Sequence, residues 1–193
     1  MSHRTAATSL RGALAGQARL RPIAWRLALA AAGATAFGLA TLLAGQVRLH
    51  LPFSPVPVTL QTFVVLLAAL LLGPRVGAAG QLIFAACALT PWGSFAGPIH
   101  LTAGYVVGFV AAAWLVGHLA AGHPSYRRLL AAALLGSALI LLCGAVWLAS
   151  AAGLGVRNAL LQGVLPYVPG DVTKAAAAAG VAALARRRHP GTP

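Results

Sequence analysis

The stretch VTLQTFVVLLAALLLGPRVGAAGQLIFAACAL, residues 58–89, contains a single charged residue, Arg75. A helix that spans a membrane needs about 20 mostly apolar residues, so this stretch is too long for one span. Pro74 and Arg75 interrupt it, because proline cannot donate a backbone hydrogen bond inside a helix. The sequence therefore predicts two short membrane segments, 58–73 and 76–89. They form either a tight hairpin or two helices lengthened by their flanking residues.

The whole chain has the composition of a membrane protein. Hydrophobic residues make up 60% of it and charged residues 8%, whereas a soluble domain carries about 25% charged residues. The net charge of +13 would suggest a nucleic-acid partner in a soluble protein. Here the arginines lie between apolar runs, so membrane orientation explains them better and no nucleic-acid partner is expected.

Outward from residues 58–89, the apolar runs predict an all-α polytopic membrane protein, a bundle of six transmembrane helices. We expect a six-helix domain at 23–185 between two basic cytoplasmic tails, 1–22 and 186–193. The predicted spans are 23–45, 58–73, 76–89, 101–121, 129–152 and 171–185.

The distribution of arginines supports this count, because alternate loops fall on opposite sides of the membrane. Two arginines fall on one side, Arg48 and Arg157. Eleven fall on the other: Arg4, Arg11, Arg19, Arg21, Arg26, Arg75, Arg127, Arg128, Arg186, Arg187 and Arg188. Positive loops face the cytoplasm, so both termini are predicted to be cytoplasmic. The arginine-rich segment 1–22 also fits an organellar transit peptide, but six spans explain it without cleavage.

The segment VPGDVTKAAAAAG, residues 168–180, holds the only acidic residue of the chain, Asp171, and its only lysine, Lys174. Pro169 and Gly170 are expected to break the chain, so that Asp171 caps the sixth helix and Lys174 pairs with it one turn later. Charges at membrane depth usually mark a ligand or ion path. We therefore also predict a ligand site at this pair.

Two further loops are predicted on the same outer side as this pair. In LPFSPVPVTLQTF, residues 51–63, the prolines stiffen the chain. It is either a plain connector with Thr59 as a cap, or a preformed lid over the polar residues Gln61 and Thr62. In TPWGSFAGPIHLTAGYVVGF, residues 90–109, Trp92 is expected to anchor at the membrane interface. Phe95 and Tyr105 are either anchors or stacking partners for a ligand ring.

The first span carries alanine at every fourth position. The members of this alanine ridge are Ala28, Ala32, Ala36, Ala40 and Ala44. Small residues allow another helix to approach closely, so the ridge is a predicted docking face for another membrane protein. The alternative is an alanine-rich surface that faces lipid.

Several motifs of catalysis are absent from the sequence. There is no P-loop motif, no H-E-x-x-H motif and no metal-ligand cluster among the six histidines. A single carboxylate provides no acid–base pair. We therefore expect no enzyme activity, no cofactor and no bound metal.

Three stretches resemble the BioY family: PVPVTLQTFVVLLAALLLGPRVGA at 55–78, LPYVPGDVTKAAAAAGVA at 165–182 and TAGYVVGF at 102–109. BioY proteins are the biotin-binding S components of energy-coupling factor (ECF) transporters. The resemblance implies a high-affinity biotin subunit in a bacterial or archaeal cell membrane. Its implied partners are a transmembrane coupling protein and two ATPases. The family's P-G-D-x-x-K motif falls on Asp171 and Lys174, and its docking surface falls on the alanine ridge. The chain departs from the family pattern at residues 100–105 and at Gln81.

The chemistry of biotin agrees with these implied roles. Asp171 can only accept hydrogen bonds and suits a ureido N–H, while Lys174 can only donate and suits either the ureido carbonyl or the valerate carboxylate. Three alternatives remain. They are a self-sufficient transporter in which Asp171 carries a proton, an S component for another vitamin, and an enzyme that faces lipid.

Overall fold

The computed structural model of the chain describes residues 2–88, 90, 99–122, 125–151 and 153–188. These residues are helical apart from their connections and one antiparallel pair of two-residue strands, in which Arg48 faces Thr59 and Leu49 faces Val58. The elements in chain order are α1 Ser2–Ala44, β1 Arg48–Leu49, β2 Val58–Thr59, α2 Gln61–Ala88, α3 Ile99–Leu119, α4 Tyr126–Ser150, α5 Gly155–Gly163 and α6 Val168–Arg188.

The helices agree with the predicted all-α, multi-pass class. Four stretches of the described helices are long and apolar enough to cross a membrane: Ile23–Ala44, Gln61–Ala88, Leu101–Leu119 and Tyr126–Ser150. The predicted span at 171–185 lies within α6, which is not one of these four. The count of six crossings and the cytoplasmic position of the termini therefore stay predictions.

The chain divides into two compact units, Met1–Ala32 and Gly33–Pro193. In the first unit the backbone is helical from Ser2 onward, so the predicted basic tail contains the beginning of α1. The second unit contains the remainder of α1 and all later elements. The proposed domain boundaries at residues 22 and 185 stay predictions.

Helix α2 turns back on itself at Gly73, which has a φ of 77°. Glycine tolerates this left-handed conformation because it has no Cβ. A Cβ placed on Gly77 would lie 3.0 Å from the Cα of Ala69, whereas eight residues of straight helix span about 12 Å. The halves of α2, residues 61–72 and 74–88, therefore form the tight hairpin that was one of the two predicted alternatives.

Arginines gather at the end of the second unit where this hairpin turns. Pro74 packs against Gly117 near the end of α3. The Arg186 guanidinium donates to the carbonyls of Leu70 at 2.6 Å and Ala120 at 2.8 Å. Ser54 and Tyr167 meet at the opposite end. The predicted alternation of the arginine-bearing loops across the membrane stays a prediction.

Small residues allow the helices of the second unit to pack closely. A Cβ on Gly108 would lie 2.9 Å from the Cα of Ile140, where α3 meets α4. A Cβ on Gly38 would lie 2.7 Å from the carbonyl oxygen of Gly80, where α1 meets the second half of α2. The α1 face buried in this unit consists of Ala34, Gly38 and Thr41, whereas Ala36 of the alanine ridge is exposed.

The start of α6 corrects one prediction. The helix begins at Val168, so Pro169 and Gly170 lie in its first turn and do not break the chain. Proline is tolerated there because the first N–H groups of a helix have no partner within it. Asp171 is consequently inside the helix, where its N–H donates to the carbonyl of Tyr167 at 2.8 Å. The prediction that Asp171 is the N-cap was wrong.

Candidate functional site

A cavity of about 50 Å³ opens among the helices at the end opposite the arginines. Its polar wall consists of Thr59, Gln61, Thr62, Thr102, Tyr105, Tyr167, Asp171 and Lys174. Its apolar wall consists of Val56, Pro57, Phe84, Val106, Phe109, Ile140 and Leu141. Five of the six predicted ligand-binding residues line this one cavity. The sixth, Phe95, lies outside the described residues, as does Trp92.

Asp171 and Lys174 form an ion pair in the cavity wall. The Lys174 ammonium donates to Asp171 Oδ1 at 2.9 Å, and the side chains are 13% and 5% exposed, in that order. The pair is formed because residues three apart in a helix share one face. The predicted contact between these two residues is confirmed, and it lies beside the cavity and not on an open helix end.

A second donor to this carboxylate comes from another helix. The Ser137 hydroxyl of α4 donates to Asp171 Oδ2 at 3.1 Å, and Ser137 is 4% exposed. The sequence analysis missed this residue. It stands in a long apolar run, and its partner lies 34 positions further along the chain. The only signal in the sequence was a hydroxyl in the middle of a membrane helix.

Gln61 lines the cavity and carries a buried amide donor. Its Oε1 accepts from the Thr59 hydroxyl at 3.1 Å, and the Thr59 hydroxyl accepts the Gln61 N–H at 3.3 Å. Thr59 therefore caps the first N–H of α2, as the connector alternative predicts. Among the described residues the Gln61 Nε2 has no hydrogen-bond partner, although the residue is only 6% exposed. A buried donor without a partner is costly, and a ligand acceptor would satisfy it.

Tyr105 belongs to the cavity wall and is not an interfacial anchor. The residue is 7% exposed, and its hydroxyl donates to the carbonyl of Gly163 at 2.6 Å. Its ring lies against Gly144 of α4, where any Cβ would collide with the ring carbons. Contacts with α4 and α5 thus determine the position of this ring.

The proline-rich loop is attached to the end of α5 and to the turn before α6. The Ser54 hydroxyl lies 2.7 Å from the carbonyl oxygen of Gln162 and 2.6 Å from the Tyr167 hydroxyl, which donates to the carbonyl of Val56. Burial raises the pKa of Tyr167, which lies in the turn before α6, so this phenol stays protonated and can donate. Val56 and Pro57 of this loop line the cavity, and the function of the loop as a lid stays a prediction.

The sequence analysis missed both Tyr167 and α5. Nine residues of α5 are too few to stand out as a span, and only Ala159 and Gly163 of it are buried. Tyr167 is next to the quoted Asp–Lys motif. Its partners Ser54 and Val56 are more than 100 positions away, so their contact leaves no pattern in the sequence.

The remaining walls are apolar and partly aromatic. The rings of Phe84 and Phe109 have centroids 5.9 Å apart and are tilted by 44°. Ile140 and Leu141 of α4 continue this surface. The cavity therefore combines one charged and polar side with one apolar side, as expected for a ligand with a polar head and an apolar body.

Comparison with known proteins connects this arrangement to one family. The model of the BioY family matches residues 14–191. A probable biotin transporter BioY from Pyrococcus horikoshii is 36% identical over 142 residues, which cover 70% of this chain and 83% of the relative. The biotin transporter BioY of Rhizobium etli is 33% identical over 147 residues, which cover 68% and 78%.

One solved structure has the same arrangement of helices. It is a crystal structure of the S-component for biotin from an ECF-type ABC transporter, and it matches with a TM-score of 0.75. The match covers 84% of this chain and 93% of that chain at 22% sequence identity. At this identity the match shows the fold alone.

Proposed function

This chain belongs to the BioY family, and from that premise we propose that it is the membrane subunit that binds biotin and takes part in biotin uptake. The observation that carries the proposal is the buried ion pair between Asp171 and Lys174 in the cavity wall. Charges are costly inside a membrane unless they serve a ligand or ion path. The chain contains no other acidic residue and no other lysine.

The polar wall provides the groups that the head of biotin requires. The ureido ring has two N–H donors and one carbonyl acceptor. Asp171 accepts from one ureido N–H, and Gln61 lines the same cavity with its amide. Lys174 donates either to that carbonyl or to the valerate carboxylate. The apolar wall around Phe84 and Phe109 contacts the sulfur-containing ring and the alkyl chain.

The cavity of about 50 Å³ has one wall that does not belong to a helix. The proline-rich loop is the wall that we expect to move. It is held by three side-chain hydrogen bonds at Ser54 and Tyr167 and by the short strand pair of β2 with β1, whereas the other walls belong to packed helices.

We further propose that uptake depends on an ECF energising module, a transmembrane coupling protein with two ATPase subunits. The sequence has no P-loop with which to bind ATP by itself. The alanine ridge of α1 is the proposed contact for the coupling protein. Ala36 is exposed, and Ala40 and Ala44 are half-buried. The proposed location is a bacterial or archaeal cell membrane, with the cavity facing outward.

The test measures biotin binding by the purified chain in detergent and biotin uptake by cells. We expect about one biotin per wild-type chain. Asp171→Asn and Lys174→Ala should each abolish binding, because the remaining partner becomes an unpaired buried charge or the ligand loses its acceptor. The matched control is Thr173→Ala on the same helix. Thr173 is exposed, and its hydroxyl bonds its own backbone at Pro169.

The same variants separate the alternative functions. A proton-coupled transporter with Asp171→Asn would still bind biotin and would fail to move it. An S component for another vitamin would bind that vitamin in place of biotin. Normal binding by both Asp171→Asn and Lys174→Ala would refute the assignment of the site.

A further inference from the structure

We propose that Ser137 is a positioning residue for this site: its hydroxyl fixes the plane of the Asp171 carboxylate, so that the free lone pairs face the ligand. The proposal rests on the proposed function, since the ligand groups in question are N–H donors. It adds to the site a residue of α4 that does not itself line the cavity.

Both oxygens of the carboxylate are held, each by a different helix. Lys174 of α6 donates to Oδ1 at 2.9 Å, and Ser137 of α4 donates to Oδ2 at 3.1 Å. The terminal torsion of an aspartate is soft. The long lysine side chain starts on the same helix and can follow the carboxylate as it turns. The short serine side chain, on a packed neighbouring helix, cannot follow it and therefore sets its orientation.

Other hydroxyls in these helices behave differently. Those of Thr41, Ser150 and Thr173 donate to the carbonyl four residues earlier in their own helix. This is the usual way for such a residue to satisfy itself inside a membrane helix. The Ser137 hydroxyl instead crosses to α6 and meets the only carboxylate side chain of the protein. The Ser137 hydroxyl therefore serves the Asp171 carboxylate and not the backbone of α4.

The carboxylate keeps free acceptor sites for the ligand. A carboxylate offers about four lone-pair sites. Ser137 and Lys174 occupy one on each oxygen, which leaves lone pairs that can accept from a ureido N–H. Without Ser137, the carboxylate can turn toward Lys174, and it no longer presents a free lone pair at the angle that this N–H requires.

The composition of the chain permits a direct measurement. Because Asp171 is the only acidic side chain, its carboxylate stretching band can be assigned in the infrared spectrum of the unliganded protein by comparison with Asp171→Asn. The test variants are Ser137→Ala, which removes the hydroxyl, and Ser137→Cys, which retains a weaker donor. The matched control is Ser150→Ala on the same helix, whose hydroxyl bonds only its own backbone.

We expect Ser137→Ala to move the Asp171 band and to weaken biotin binding about tenfold, or about 1.4 kcal/mol. Ser137→Cys should give intermediate changes, and Ser150→Ala should leave both measurements unchanged. An unchanged band would overturn the contact, whether or not biotin binds. A shifted band with biotin affinity within twofold of wild type would overturn the positioning role. A wild-type chain that binds no biotin would contradict the proposed function instead, while the band still decides whether Ser137 holds Asp171.

Discussion

At the scale of single residues, Lys174 is the side chain whose surroundings can be observed most directly. It is the only lysine of the chain, and it is 13% exposed beside the Asp171 carboxylate. An amine-reactive reagent can therefore modify only one lysine side chain. The rate at which that lysine reacts reports both the ion pair and the occupancy of the cavity.

We expect reductive methylation of Lys174 to be slow in the purified protein and slower still with biotin bound, because the ligand covers the remaining exposed surface. Asp171→Asn should accelerate the reaction, since it removes the charged partner. Mass spectrometry of the peptide containing residue 174 gives the rate. Thiamine, a vitamin without a cyclic urea, is the control ligand and should not protect. Equal rates with and without saturating biotin would place Lys174 outside the ligand site.

At the scale of elements, the contact between α3 and α4 determines the position of Tyr105. The ring occupies the space left by the missing side chain of Gly144, and its hydroxyl is bound to the carbonyl of Gly163. A methyl group at 144 would force the ring into the cavity or the two helices apart.

Gly144→Ala should therefore weaken biotin binding at least tenfold and lower the stability by about 1–3 kcal/mol. Equilibrium binding and thermal unfolding in detergent measure the two effects. Gly180→Ala is the matched control, because a Cβ there meets nothing within 4 Å. It should leave binding intact and raise stability slightly, since alanine is the better helix former. If both variants bind biotin normally, the position of the Tyr105 ring does not matter to the ligand.

The connection between the proline-rich loop and α6 gives a kinetic prediction. Tyr167→Phe removes the hydroxyl that joins Ser54 and Val56. A hydrogen bond contributes about 1 kcal/mol, so biotin should dissociate about fivefold faster. Dissociation of labelled biotin into excess unlabelled biotin gives the rate. The control is Tyr126→Phe, which changes an exposed tyrosine at the start of α4. It should leave the dissociation rate unchanged. An unchanged rate in Tyr167→Phe would mean that the loop does not control release.

The sequence predicted those parts of the structure that depend on neighbouring residues. Gly73 and Pro74 interrupt an apolar run, so the turn of the hairpin could be predicted. Asp171 and Lys174 are the only carboxylate and the only lysine, so their contact could be predicted as well. Ser137, Ser54 and Tyr167 were missed because a hydroxyl acquires its role from a partner on a different helix. Pro169 and Gly170 were misinterpreted because the first turn of a helix tolerates residues that would break its interior.

At the scale of the whole molecule, the two faces of α1 differ in what covers them. Within the second unit, Ala34 and Gly38 are buried against α2, while Ala36 is exposed. The exposed face is thus available to a partner, and the alanine ridge remains the proposed contact for the coupling protein.

Replacing Ala32 and Ala36 by tryptophan should leave biotin binding by the isolated chain nearly unchanged. It should prevent co-purification with the coupling protein and stop ATP-driven uptake, because bulky side chains hold helices apart. Leu135→Trp on the exposed side of α4 is the control for added bulk and should transport normally. Normal uptake by the double variant would mean that the ridge is only a surface that faces lipid. Loss of binding by a folded double variant would instead place α1 in the site.

The hairpin of α2 also has a consequence for the surrounding lipid. Its halves, residues 61–72 and 74–88, are about 18 and 22 Å long at 1.5 Å per residue, whereas the hydrocarbon core of a bilayer is about 30 Å thick. Leu82 on the second half is exposed, so acyl chains contact a helix that is shorter than the hydrocarbon core. Hydrophobic mismatch of this kind thins the bilayer locally, at a cost that grows with lipid chain length. The thickness of the host membrane therefore contributes to the conformational energy of the wall that carries Gln61.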